Sequence, residues 1–208
     1  MSPTGGIAME RYRRELRAFV DELYRGENKV LVYGEGPMSP ELMLIGEAPG
    51  EQEALAGRPF VGKAGHNLDE MLARCGLTRA QIYIGNAVKF RPVKQSRAGR
   101  TVNRPPTQEE IGLFRPWLLR EVELVHPALI ATLGNVPLRA LTGRALTVGE
   151  AHGHLMSEGG LRIFPMYHPA SMIYNPSLRD VFEADLRELA RIVAGECAPE
   201  SGRAEGDR

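Results

Sequence analysis

Apolar side chains recur at helical spacing in one set of segments and bunch into short runs in another. Leu16, Phe19, Val20 and Leu23 share one face of a stretch over 9–25, and Gly26 ends it. An amphipathic stretch over 67–75 predicts a second helix, with Gly76 placed to cap it. Ile111, Phe114, Leu118, Val122 and Val125 mark a third. Thr107 followed by Glu110 has the spacing of a capping box, and Pro116 predicts a kink or a late start. A short helix is expected from Gly134 to Leu141. A long one is expected over 177–194, with Val181, Leu186, Leu189 and Val193 inward. The apolar runs at 42–45, 82–84, 128–133 and 161–167 predict four strands, and 30–33 a short edge strand.

Strands that alternate with helices imply a parallel sheet wound by helices on both faces. The expectation is an α/β fold: one three-layer α/β/α domain over 1–208 around a mostly parallel, four-stranded sheet. Its core would span about 28–195, with flexible tails at 1–7 and 197–208. In such sheets ligands sit beyond the carboxyl ends of the strands, where the strand order switches. Unusual motifs follow three of the predicted strands: GEAPGEQE from Gly46, GNAVK from Gly85 and YHPA from Tyr167. Though distant in sequence, they should meet on one rim.

Residues 46–65 form a connection too long and too glycine-rich for a plain link, and Pro59-Phe60-Val61 sits between Arg58 and Gly62. The stretch reads as a shaped pocket wall carrying Glu47, Glu51 and Glu53. A second long connection, 89–106, carries Lys89, Arg91, Lys94, Arg97, Arg100 and Arg104 and no acid.

Composition narrows the partners. A 208-residue chain that is 43% hydrophobic can bury a full core without metal or disulfide. With 26 basic and 26 acidic residues, any contact with nucleic acid must come from a local patch such as 89–106. Two cysteines, Cys75 and Cys197, are too few for a disulfide framework or a cysteine-only metal site. Cys75 is expected as a small buried hydrophobe. No signal-like or membrane-spanning run is present, so a cytoplasmic monomer without membrane contact is expected.

Several chemistries are disfavoured. The glycine-rich loop lacks the lysine of a phosphate loop and the spacing of a dinucleotide fingerprint, and no nucleophile elbow occurs. His152 and His154 give only a weak zinc hint. What remains is an aromatic ring at Phe60, an amide at Asn86, an imidazole at His168, carboxylates and a basic loop. A ring can stack on a base, an amide can read its edge, and cations can hold phosphates. The set fits hydrolysis of a glycosidic bond to a flipped-out base, with His168 donating to the departing anion and a carboxylate near the sugar or the water. Each residue also has a bland reading: Phe60 and 172–174 as core, Asn86 as a turn residue, His168 as structural.

GEAPGEQEALAGRPFVGKAG, then GNAVKFRP and NRPPTQEE, then FPMYHPA resemble the family 4 uracil-DNA glycosylases in order and spacing over about 34–178. The resemblance implies a monofunctional DNA-repair glycosylase that removes uracil from single- or double-stranded DNA and leaves an abasic site. The alternatives are release of hypoxanthine or xanthine, or uracil-DNA binding without catalysis. By the resemblance Phe60 would stack on uracil, Asn86 would bond its polar edge, and His168 would bind its O2, with Gly46 and Ala48 beside them. Glu47 and Glu53 match the acids of the first motif, without a division of labour between water and sugar. Lys89, Arg91, Arg100 and Arg104 would contact DNA, and Met172, Ile173 and Tyr174 match the loop that wedges into the minor groove. The family's four-cysteine iron-sulfur cluster is expected to be absent: its ligand positions fall at Ala18, Asp21, Phe90 and Phe114. The insertion at 93–102 lies where a cross-linking branch carries a reactive histidine; none is present, which disfavours covalent capture of DNA.

Overall fold

The computed structural model describes residues 3–195 other than Cys75. Cys75, and the tail at 197–208 with Cys197, lie outside the described residues. Helix α1 (Pro3–Leu23) leads through an extended segment to strand β1 (Leu42–Gly46). Helices α2 (Glu51–Ala56) and α3 (Lys63–Arg74) follow, then β2 (Tyr83–Asn86). A hairpin of β3 (Val93–Gln95) and β4 (Thr101–Asn103) precedes α4 (Gln108–Val125). The chain continues through β5 (Leu129–Leu133), α5 (Asn135–Thr142), α6 (Val148–Ala151), β6 (Met156–Glu158) and β7 (Leu161–Met166). It closes with α7 (Ser171–Tyr174) and α8 (Leu178–Val193).

The expected four-stranded sheet is corrected to five, in the order β2-β1-β5-β7-β6. The four expected strands are parallel neighbours. The fifth, β6, pairs antiparallel with β7, Met156 facing Ile163 and Glu158 facing Leu161. It turns back through Gly159 and Gly160, whose φ of 56° and 80° suit a tight hairpin turn. Residues 30–33 form no strand, but isolated bridges join Leu31 to Phe90 and Glu35 to Ile84. Helix α1 already begins at Pro3, within the stretch expected as a loose start. Helix α4 runs through Pro116, with the Thr107 hydroxyl accepting from the Glu110 amide at 3.1 Å as its cap.

Strand alternation sends side chains to two cores. Met43, Ile45, Tyr83, Ile130 and Ile163 pack on one face under α1, α4 and α5. Leu42, Leu44, Ile84, Ala131, Phe164 and Met166 pack on the other under α3 and α8. Phe90 and Phe114 are fully buried in the first core, with ring centroids 5.5 Å apart. Phe19 and Tyr24 pack edge-on against them, and the Lys29 ammonium lies 4.9 Å from the Phe90 ring centre. Rings therefore hold α1 to α4 where the family resemblance would place cluster ligands.

Candidate active site

Strand β1 ends at Gly46 beside Asn86, the last residue of β2. A Cβ on Gly46 would lie 2.5 Å from the Phe60 ring and 2.6 Å from the Asn86 side-chain oxygen, so any larger residue would displace both site side chains. His168, two residues past β7, approaches the same point over the end of β5, where Gly134 has φ 94° and would bring a Cβ to 3.5 Å from that of His168. The Phe60 and His168 rings lie nearly parallel, 6.1 Å between centroids. The three motifs thus meet at one cavity of about 340 Å³, lined by Ala48, Glu53, Phe60, Asn86, Asn103 and His168 among others.

The stretch 46–65 is not one open loop. It holds the short helix α2, and Glu53 on that helix ties its two ends together. One carboxylate oxygen accepts from the Gly50 amide at 3.1 Å, and the other from the amides of Val61 at 3.0 Å and Gly62 at 2.7 Å. Phe60 has φ 53°, a strained value for a bulky side chain. Its carbonyl accepts from Arg79 Nη2 at 2.6 Å, and the Pro59 carbonyl accepts from Nη1 at 3.0 Å. Arg79 is in turn paired with Asp69. A Cβ on Gly65 would fall 1.9 Å from the Phe60 carbonyl oxygen, so the turn closes only over a glycine.

His168 has a defined tautomer. Its Nδ1 accepts from the Ala170 amide at 3.1 Å. A neutral ring must then carry its proton on Nε2. Burial pushes its pKa down to about 4, against a smaller upward pull from Glu53, so the ring is neutral at physiological pH. Asn86 is buried, and its carboxamide lines the cavity without a hydrogen bond to the protein among the described residues. Glu47 is half-buried on the first turn after β1 and does not line the cavity. Burial raises its carboxyl pKa.

Asn103, at the end of β4, lines the cavity and was not among the expected site residues. It lies in the NRPP stretch, which would have flagged it. Its side-chain oxygen accepts from Arg91 Nε at 2.6 Å, while Arg91 Nη1 pairs with Glu51 at 3.1 Å. The Asn103 amino group is consequently left toward the cavity, near Gly50.

Two residues expected to contact DNA, Lys89 and Met172, are buried, and a third, Arg104, is held within the protein. Lys89 is fully buried and ion-paired to Glu121, which also accepts from the Tyr83 hydroxyl at 3.0 Å. Arg104 donates to Glu110 through both terminal nitrogens at 2.6 Å and to the carbonyls of Val93 and Pro105, locking the hairpin onto α4. Met172 is buried in the second core. Lys94, Arg97 and Arg100 are exposed on the hairpin. Ile173 is 41% and Tyr174 87% exposed, so the protruding part of the 172–174 segment is its second half. Among the described residues no cluster of histidine, cysteine and acids could hold a metal ion. No described helix is long and apolar enough to cross a membrane.

Residues 33–190 match the uracil DNA glycosylase superfamily. The type-4 uracil-DNA glycosylase of Sulfurisphaera tokodaii is 36% identical over 170 residues, covering 77% of this chain and 74% of the relative. That of Pyrobaculum aerophilum is 37% identical, covering 76% and 81%. The crystal structure of Pedobacter heparinus SMUG2 superposes with a TM-score of 0.52 at 15% identity, covering 90% of this chain and 85% of that one, a likeness of fold.

Proposed function

This chain belongs to the uracil-DNA glycosylase superfamily, as a family 4 member without the cysteines of an iron-sulfur cluster, and we propose that it releases uracil from DNA by hydrolysing the N-glycosidic bond. A DNA-repair glycosylase acting on DNA is the general class that membership supports. One observation carries the specific reading. An aromatic ring, and an amide and a neutral imidazole N–H that have no protein partner among the described residues, meet at one cavity.

The extruded base enters that cavity and stacks on Phe60, and Asn86 bonds its polar edge. As the bond from C1′ to the base nitrogen breaks, both electrons leave with the base. Negative charge grows on the uracil oxygen, where the His168 Nε2–H donates. A neutral donor suits this role, because it stabilises the anion without having to surrender a proton. Water adds to C1′, and its proton goes to solvent or a nearby carboxylate. Glu53 is committed to three backbone amides, so Glu47 is the carboxylate with capacity to spare for the sugar or the water. Its raised pKa makes it a better base than a solvated carboxylate. Ile173 and Tyr174 fill the space the base vacates, and Lys94, Arg97 and Arg100 hold phosphates.

The test is base release from an oligonucleotide with a single uracil, read as strand scission after alkali. Scission at the uracil is expected. A silent wild type beside an active control enzyme overturns the reading, and release of hypoxanthine or xanthine alone reassigns the base.

A further inference from the structure

A second cavity, of about 400 Å³, lies between the first half of α4 and the end of α5, and shares no lining residue with the catalytic one. Its apolar lining includes Ile111, Val136 and Ala145, and three arginines, Arg115, Arg139 and Arg144, stand around it. Among the described residues no acidic side chain lines it.

Two of these arginines are fixed in place. Arg115 Nε donates to the Ala140 carbonyl at 2.8 Å, and Arg139 Nε to the Leu146 carbonyl at 3.1 Å. These bonds hold each guanidinium by its inner edge and leave both terminal nitrogens without a hydrogen bond to the protein among the described residues. A guanidinium held this way loses little freedom on binding an anion, and its outer edge matches a carboxylate. The nearby acids are occupied. Glu158 pairs with Arg144 at 3.3 Å, and Glu150, which also feels the Arg139 charge, accepts from the Thr147 amide and hydroxyl.

We propose that this cavity docks an acidic peptide segment of a partner protein carrying one large apolar side chain. Carboxylates would meet the outer edges of Arg115 and Arg139, and the apolar side chain would cover Ile111 and Val136. Nucleic acid is the poorer fit. In a duplex its phosphates would meet the arginines, but its bases stay stacked and leave the apolar recess between them unfilled.

The probe is a fluorescein-labelled hexapeptide of aspartate and glutamate with one central phenylalanine, titrated with the full chain and followed by anisotropy. Binding is expected, weakened by salt. It should fall by at least about tenfold in the Arg115→Gln/Arg139→Gln variant, with unchanged circular dichroism. Because Arg115 also braces α5, Arg139→Gln alone, which should weaken binding in the same direction, guards against misfolding. Base release from the uracil oligonucleotide should stay at the wild-type rate in both variants. The inference is overturned by absence of peptide binding, by equal binding to wild type and Arg139→Gln, or by equal binding of a peptide with lysine in place of the acids. It is also overturned if the variants lose affinity for uracil-free single-stranded DNA, which would make the cavity a DNA contact. These outcomes do not depend on whether the chain releases uracil.

Discussion

Arg91 donates from Nε to the Asn103 side-chain oxygen at 2.6 Å, and so decides which end of that amide faces the catalytic cavity. The Glu51 carboxylate holds Arg91 from the other side. Arg91, expected to touch DNA, also links α2 to the hairpin and orients a cavity residue.

The arrangement predicts coupling. Replacing Arg91 with alanine frees the Asn103 amide to rotate. Base release should slow by about tenfold, roughly 1.4 kcal/mol, mainly in kcat. The Asn103→Ala variant should lose a similar amount, and the double variant little more than either single one. Single-turnover rates for the four proteins check this. Additive losses would show that Arg91 acts independently of Asn103.

His168 carries two expectations with different readouts. Its removal, as His168→Ala, takes away one donor to the developing anion, and base release should fall by roughly 10²–10³. In the folded protein the ring stays neutral down to about pH 4, against 6.5 when solvated. Between those values the unfolded chain binds the proton and the folded one does not. Stability should therefore fall as pH drops from 6.5 to about 4, by up to about 3 kcal/mol. Urea titrations at several pH values check the sign, and the His168→Ala protein should have a shallower slope across that window.

Glu53 and Gly65 hold the strained turn at Phe60. A glutamine at 53 keeps only one acceptor oxygen for three amides, leaving at least one amide unsatisfied at a cost of about 1–3 kcal/mol. Thermal melting should shift downward, and uracil release should fall through misplacement of Phe60. Gly65→Ala should be worse, since its Cβ would collide with backbone rather than with a movable side chain. Wild-type melting and activity in both variants would show that this turn is not what positions the ring.

The strands of the parallel sheet were legible because apolar runs at strand length leave few alternatives, and the motifs after them gave the rim. Strand β6 was not. Met156-Ser157-Glu158 has no apolar run of its own and exists by pairing with β7; Gly159-Gly160 was the available signal. The hairpin of β3 and β4 is similarly hidden in a polar stretch, although Gly99, with φ 71°, marks its turn. The rim residues Phe60, Asn86 and His168 converge as expected. The roles of the charged residues were hidden, because their partners are remote: Glu53 reaches Val61 and Gly62, and Lys89 reaches Glu121. No local pattern announces such pairs.

Lys89 gives the sharpest contrast with its expected role. A surface cation that holds phosphate should leave stability almost unchanged when removed, and should reduce the salt dependence of DNA binding by about one counterion. A lysine sealed in the core behaves oppositely. Lys89→Ala strands the Glu121 carboxylate in an apolar surrounding, with the Tyr83 hydroxyl its one remaining hydrogen-bond partner among the described residues. Breaking a buried pair from one side costs about 3–5 kcal/mol. The double variant Lys89→Met/Glu121→Leu removes both charges and retains apolar volume, so it should recover much of that loss. Arg100, exposed on the hairpin, serves as the comparison. Arg100→Ala should melt like wild type and show a shallower salt slope for oligonucleotide binding. Denaturant midpoints and binding isotherms over a salt series separate the two. A stable Lys89→Ala protein with a reduced salt slope would return this residue to the DNA surface.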